Sequence, residues 1–213
     1  MGLSEVKGMV RSRLGWLFPA SLAFVALLAE TGGEPLRLVL RYDRAGLADG
    51  ELWRLISGHL VHLGWSHLWL NLAGLLLVWI LVGGVFSILQ WCVIAIAAIG
   101  AMDAGFWFLK PELGWYVGMS GLLHGLFVAG IAGALINLPG MRREAAFLLL
   151  LVAGKLAYEA WSGSLPGSAS VAGGNVVTEA HLYGAVGGLA AGVLAALVAR
   201  AGGRIRLPPA ASL

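Results

Sequence analysis

Charged residues and cysteine are both scarce in this chain of 213 residues. Only 12% of the residues are charged, against about 25% in soluble domains, whereas 59% are hydrophobic. This composition excludes a water-soluble enzyme, a nucleic-acid-binding domain and a disordered tail. The one cysteine, Cys92, leaves no disulfide framework, no cysteine-based metal site and no redox pair.

Long apolar runs are what the chain has in abundance, and its mean hydropathy is +0.86. Each run approaches the roughly 17 to 25 residues that a helix needs to cross a bilayer. We therefore predict an all-α membrane protein in which residues 1–213 form a single domain. The six predicted spans lie at about residues 14–29, 66–83, 85–101, 118–137, 144–161 and 180–199.

Basic residues near the ends of the spans predict the orientation of the chain, because basic loops stay on the cytoplasmic side. The residues concerned are Lys7, Arg11, Arg13, Arg142, Arg143, Arg200, Arg204 and Arg206. We expect both termini to be cytoplasmic, so that spans two, four and six each enter from the outer face. The same bias explains the net charge of +3 without a nucleic-acid partner. The first span lacks a small-x-small cleavage site and is interpreted as a retained anchor rather than a signal peptide.

Four polar residues lie early in predicted spans, where polar groups are costly unless they find partners. His67 and Asn71 are four residues apart in span two and share a helix face. Ser120 lies early in span four, and His181 lies at the start of span six. Because all three spans enter from the same side, we predict that these four side chains converge at one depth near the outer surface.

Glycines indicate which helix faces meet, because small residues let two backbones approach closely. They are Gly118, Gly121 and Gly125 in span four, and Gly184, Gly188 and Gly192 in span six. These faces also carry Ser120 and His181, so the serine hydroxyl and the imidazole are expected to form a hydrogen bond, as a nucleophile and its base do. His67, Asn71 and the backbone N–H groups at the start of span four are then candidate donors to an oxyanion.

The order of these motifs resembles the rhomboid family of intramembrane serine proteases. The motifs, which cover about residues 53 to 192, are Trp53-Arg54, Gly58-His59, His62, Gly64-Trp65-Ser66-His67, Asn71, Gly118-Met119-Ser120-Gly121 and Ala180-His181 with Gly184 and Gly188. The resemblance implies a six-helix bundle, with Ser120 as the nucleophile and His181 as general base and then acid. It implies a dyad without an acidic member, His67 and Asn71 as oxyanion donors, and neither cofactor nor metal ion.

One position departs from the commoner rhomboid pattern, since His124 stands one turn below the serine, where an aromatic residue is frequent. His124, the runs at 120–125 and 179–184, and the Lys155/Glu159 pair look more like the rhombosortase branch. That branch is associated with exported proteins that carry a C-terminal anchor of a Gly-Gly motif, one transmembrane segment and a basic tail. The resemblance implies such single-span substrates, a bacterial inner membrane and a site open to the periplasm. Water and an amine both remain candidates for resolving the acyl-enzyme.

Several polar residues allow more than one interpretation. His124 either packs under His181 or orients it. Lys155 and Glu159 are four residues apart, so they either neutralise each other or face the substrate. The residues His59 and His62 have no carboxylate or thiol at helical spacing, so they are interpreted as fixing a loop rather than binding a metal ion.

The alternative function is a rhomboid-like protein that binds client transmembrane helices without cutting them. Loss of the serine or of its histidine would favour that alternative, and both are present at Ser120 and His181. A small transporter would need charged pairs in several spans, whereas only Lys155 and Glu159 offer one. The sequence carries no signal for an oligomeric state.

Overall fold

The computed structural model describes residues 13–201, and this part of the chain is mostly helical. Six apolar helices make up the bundle: α1 (Leu17–Thr31), α2 (Trp65–Val82), α3 (Ile88–Leu109), α4 (Ser120–Asn137), α5 (Arg142–Ser162) and α6 (Thr178–Ala201). Helices α2 to α6 are long and apolar enough to cross a membrane, and α1 is shorter, with 15 residues. The predicted all-α membrane bundle of six apolar helices is therefore confirmed.

Half of the basic residues that predict the orientation lie outside the described part of the chain. Lys7, Arg11, Arg204 and Arg206 all lie there. The placement of both termini in the cytoplasm therefore stays a prediction.

Short elements fill the connections between these helices. They are 3-10 turns at Arg13–Trp16 and Pro139–Met141, helices at Gly33–Leu40, Arg44–Ala48, Arg54–Ser57 and Ser168–Ala172, and strands β1 (Tyr42–Asp43) and β2 (Trp115–Tyr116). The two strands pair antiparallel, with Tyr42 opposite Tyr116. This pairing ties the α1–α2 connection to the segment that leads into α4, and so to Ser120.

Arg54 is buried in the α1–α2 connection and holds it together by hydrogen bonds. Its guanidinium group donates to the backbone carbonyls of Leu38 and Arg41 at 3.0 and 2.9 Å and to the carboxylate of Glu51 at 2.5 Å. Only 8% of Arg54 is exposed. The Trp53-Arg54 motif therefore has a structural role in this connection.

Helix α3 is longer than the sequence predicted. The predicted span ended at residue 101, before Asp103, whereas the helix continues to Leu109. Asp103 is accommodated inside the helix because its Oδ1 lies 3.0 Å from Nε2 of the buried His59. A charged residue that finds a partner need not end an apolar helix.

Helix α4 is the centre of the bundle, with 67% of its apolar stretch buried, against 17% for α5. Its closest neighbour is α6, because glycines remove the side chains between the two backbones. A Cβ atom at Gly184 would lie 2.1 Å from the carbonyl oxygen of Gly121, and one at Gly188 would lie 2.1 Å from that of Gly125. The faces that carry Ser120 and His181 are thus in backbone-to-backbone contact.

Candidate active site

The structure brings Ser120 and His181 together at one end of the bundle. Ser120 is the first residue of α4, and His181 lies in the first turn of α6. Nε2 of His181 lies 2.9 Å from Oγ of Ser120. The separation depends on Gly121, whose missing Cβ would lie 2.7 Å from the carbonyl oxygen of Ala180. A side chain at Gly121 would force the helices apart and break the Ser–His contact.

The loop before Ser120 is fixed by contacts that require Gly118. Gly118 has a φ of +128°, which side chains disfavour, and a Cβ there would lie 2.9 Å from Cε1 of His67. Its carbonyl accepts a hydrogen bond of 2.7 Å from the hydroxyl of Tyr116, and its N–H donates to the carbonyl of Gly58 at 3.2 Å. Burial raises the pKa of Tyr116, so the phenol stays protonated and able to donate.

His67 lies beside this loop, next to the serine. Its Nδ1 accepts a hydrogen bond of 3.4 Å from the backbone N–H of Leu63. In a neutral imidazole the other nitrogen then carries the proton, so Nε2 is a donor. That nitrogen lies 3.2 Å from the position that a Cβ of Gly118 would occupy. His67 thus presents an N–H group close to the backbone that precedes Ser120.

Asn71 is buried one turn further along α2. Its amide donates to the carbonyl of His67 at 2.9 Å, and this is its one side-chain hydrogen bond among the described residues. The amide nitrogen carries two hydrogens, so a second N–H remains for another acceptor. Asn71 and Ser120 line the same cavity.

Two cavities meet at Ser120. The first, of about 490 Å³, is lined by His67 and by the segments 112–117 and 172–177. The second, of about 220 Å³, is mainly apolar and lies between α2 and α4, with Asn71 among its lining residues. Since Ser120 lines both, one bound chain could pass the hydroxyl with a polar part in the first cavity and an apolar part in the second.

His124 lies directly under His181. The two rings are stacked, with centroids 4.3 Å apart and planes inclined by 22°. Nδ1 of His124 donates to the carbonyl of Ser120 at 2.7 Å. His124 therefore packs against the His181 ring, and its own hydrogen bond goes to the backbone of the serine.

The structure also places the carboxylate of Glu159 beside His181, a contact that was not predicted from the sequence. Oε2 of Glu159, on α5, lies 2.8 Å from Nδ1 of His181, and Glu159 is 5% exposed. Nζ of Lys155 lies 2.6 Å from the same carboxylate oxygen. The Lys–Glu pair thus forms, but its carboxylate is shared with His181. The site therefore differs from the predicted dyad without an acid.

A signal for Glu159 was present in the sequence. A glutamate in an apolar span needs a partner, and the lysine four residues away supplied one that needed no other helix. The i, i+4 spacing of Lys155 and Glu159 therefore accounted for both charges, and no contact with His181 was needed to explain them. The contact between Glu159 and His181 depends on the packing of α5 beside α6, which spacing within one helix does not predict.

The histidines of the α1–α2 connection contact other side chains of the bundle. His59 pairs with Asp103, and its ring lies 5.4 Å from that of Tyr116. His62 packs edge-on against His67, with ring centroids 5.1 Å apart. Burial, with the neighbouring His67 as a second cause, lowers the pKa of His62 to about 3, so its imidazole is neutral. Among residues 13–201, no group of three or more metal-binding side chains is found.

Taken together, the fold and the site define a multi-pass helical membrane protein with a serine–histidine contact at one end of its bundle. The family model of the Rhomboid domain matches residues 49–197, which is most of the chain. The chain therefore belongs to the rhomboid family, and the resemblance seen in the sequence is confirmed at the level of the family. No curated protein and no solved structure matches the chain.

Proposed function

We propose that this protein is an intramembrane serine protease that cuts transmembrane anchors near the outer face of the membrane. The observation that carries this proposal is the 2.9 Å contact between Nε2 of His181 and Oγ of Ser120, set between two cavities in a rhomboid-family bundle. A rhomboid-like protein that only binds client helices would need no such contact.

The geometry supports a two-step acyl transfer. Oγ of Ser120 attacks the carbonyl carbon of the scissile bond while its proton passes to Nε2 of His181. The tetrahedral intermediate then expels the amine, which takes that proton, and an acyl-enzyme remains on Ser120. Water, or an amine, attacks the acyl-enzyme and restores the hydroxyl. Both acceptors fit this scheme, the first giving hydrolysis and the second transfer.

His67 and Asn71 are the proposed oxyanion donors. His67 has a donor nitrogen near the backbone before Ser120, and Asn71, which lines a cavity together with Ser120, has a spare N–H. The backbone N–H groups at the start of α4 add the positive end of a helix dipole. Together these groups can stabilise the charge that develops on the carbonyl oxygen.

His67→Ala and Asn71→Ala should each lower kcat by roughly 10 to 1,000-fold with little change in KM, because oxyanion donors act mainly on the transition state. Steady-state kinetics on a cleavable membrane substrate measures both constants. Leu76→Ala, on an exposed part of the same helix, is the control and should leave both constants near the parent values. A rise in KM with kcat unchanged would assign the two residues to substrate docking instead.

The site end of the bundle is proposed to face the outside. Trp65, Trp107, Trp115 and Trp161 are all exposed near the helix ends that surround Ser120, as expected for tryptophans at a membrane interface. With both termini cytoplasmic, this end is the outer one. In a bacterial inner membrane it opens to the periplasm.

The proposed substrates are exported proteins with one C-terminal membrane anchor and a Gly-Gly motif, as in the rhombosortase branch. A protease needs an extended backbone, yet a helix in lipid cannot release its backbone groups without other partners. Each glycine disfavours the helix by about 1 kcal/mol relative to alanine, so a glycine pair at the outer end of an anchor unwinds at small cost. Helix α5 is the least buried of the five long helices, so such a segment could enter the site beside it.

Replacing the glycine pair of a co-expressed substrate with leucines should leave that substrate uncut and membrane-bound, because the helix no longer unwinds at the site. Processing is followed by immunoblotting of membrane and soluble fractions and by mass spectrometry of the new C-terminus. The control places two leucines in the same anchor, at alanine positions distant from the pair, and should be cut normally. Efficient cutting of the leucine-pair variant, or a cut at the cytoplasmic end, would contradict the substrate proposal while leaving the roles of Ser120 and His181 standing.

A further inference from the structure

The imidazole of His181 is held on three sides by residues from two other helices. Ser120 lies at Nε2, the carboxylate of Glu159 lies at Nδ1, and the ring of His124 stacks on its face. The serine and the stacking ring come from α4, whereas the carboxylate comes from α5. Both nitrogens of His181 therefore have a defined partner.

The Glu159 contact decides which nitrogen of His181 carries the proton. An ionised carboxylate only accepts hydrogen bonds, so at 2.8 Å the Nδ1 atom must donate. In the neutral ring Nε2 then holds the lone pair and can accept the hydroxyl proton of Ser120. This is the tautomer that a general base at Nε2 requires.

Lys155 could favour the opposite tautomer if it acted alone. Its Nζ lies 3.2 Å from Nδ1 of His181 and could donate to a lone pair there. The ring proton would then sit on Nε2 and point at Ser120, so His181 could not accept the hydroxyl proton. In the structure Lys155 lies closer to Glu159, at 2.6 Å, and Glu159 lies closer to the ring than Lys155 does. The carboxylate therefore accepts hydrogen bonds from both the Lys155 ammonium group and the Nδ1–H group of His181, which keeps the ring proton on Nδ1.

We propose that Glu159 is a positioning residue that fixes the tautomer of His181 and stabilises the imidazolium formed when Ser120 attacks, and that Lys155 holds its carboxylate in place. This inference rests on the proposed protease function and extends its pair of residues to a Ser–His–Glu arrangement. The carboxylate can stay charged in this setting because His181 and Lys155 each give it a charge-assisted hydrogen bond.

Glu159→Gln tests this role, because glutamine keeps the shape but can turn its amide N–H toward Nδ1 and select the wrong tautomer. We expect kcat to fall by about 100 to 10,000-fold with KM nearly unchanged. Labelling of Ser120 by a fluorophosphonate should slow by a similar factor. The matched control is Glu144→Gln, the same substitution at an exposed site in the first turn of α5, which should behave as the parent.

A double variant distinguishes a role of Glu159 in positioning His181 from a role in a merely structural ion pair with Lys155. Lys155→Met combined with Glu159→Gln removes both charges, so any instability caused by one unpaired charge should be relieved. If Glu159 positions His181, the double variant unfolds at a temperature closer to the parent than Glu159→Gln does, yet its kcat stays as low. If the pair is only structural, kcat recovers together with stability, and the proposal is overturned.

Glu159→Asp covers the case in which the glutamine variant does not accumulate in the membrane. Aspartate keeps the charge but is one methylene shorter, so we expect a kcat between those of the parent and of the double variant. Parental kcat in Glu159→Gln, or a kcat for Glu159→Asp as low as that of the double variant, would refute the role of the carboxylate. Failure of the parent protein to label at Ser120 would instead refute the protease proposal itself.

Discussion

Replacing Ser120 with alanine should abolish substrate processing, with a loss of about 10,000-fold or more in turnover, because the proposed acyl-enzyme forms on the Ser120 hydroxyl oxygen. The variant should still fold, since Ser120 is half-buried and the substitution removes only a hydroxyl that hydrogen-bonds His181. Loss of one such hydrogen bond should change the free energy of unfolding by only about 1 kcal/mol. Turnover of a co-expressed anchored substrate and thermal unfolding in detergent measure the two effects.

A fluorophosphonate probe gives the direct chemical readout for this variant. The parent should be labelled at Ser120, as located by mass spectrometry, and Ser120→Ala should not be labelled at all. Ser162→Ala, at an exposed helix end, is the matched control and should label like the parent. Continued processing by Ser120→Ala would show that another residue is the nucleophile.

Gly188→Leu should prevent the bundle from forming, because the space it would enter is occupied by backbone. A Cβ at residue 188 would lie 2.1 Å from the carbonyl oxygen of Gly125, and a backbone atom inside a helix cannot move aside as a flexible side chain can. Overpacking typically costs about 1 to 3 kcal/mol, and a clash with helix backbone belongs at the upper end of that range. Since α4 and α6 also carry Ser120 and His181, we expect probe labelling to be lost together with the cooperative unfolding transition.

Gly100→Leu is the matched control for this prediction. Gly100 also lies in an apolar helix, α3, but a Cβ there meets nothing within 4 Å. The control should unfold near the temperature of the parent and should keep its labelling at Ser120. Equal stability of the two leucine variants would show that the glycine contact does not hold α4 against α6.

Much of the candidate site could be predicted because its signals are local. Ser120, His181, His67 and Asn71 stand out because polar side chains in apolar spans need partners. Three of these residues lie within the first two turns of a helix, and Ser120 begins one. Glycines beside them marked the faces that could approach. The structure then placed Ser120 and His181 in contact, with Asn71 in a shared cavity.

Two features could not be predicted without the tertiary structure, because in each the interacting partner is distant in sequence. The predicted third span ended at residue 101, before Asp103, yet in the structure Asp103 pairs with His59, 44 residues away, and the helix continues. Glu159 pairs with His181, 22 residues away and in another helix. The helical repeat relates residues three or four positions apart, so it cannot reveal a contact between residues this far apart in sequence.

The sequence by itself determined that the chain forms apolar helices, which of them carry polar groups, and which two present glycine faces to each other. These properties depend on composition and spacing within single segments. Only the tertiary structure decided how α5 is rotated about its axis. Its long apolar run gives lipid no strong preference for one face, so its rotation is set by the helices it packs against. That rotation directs Glu159 inward to Nδ1 of His181, and in the proposed mechanism the carboxylate selects the tautomer that leaves Nε2 free to accept the proton of Ser120.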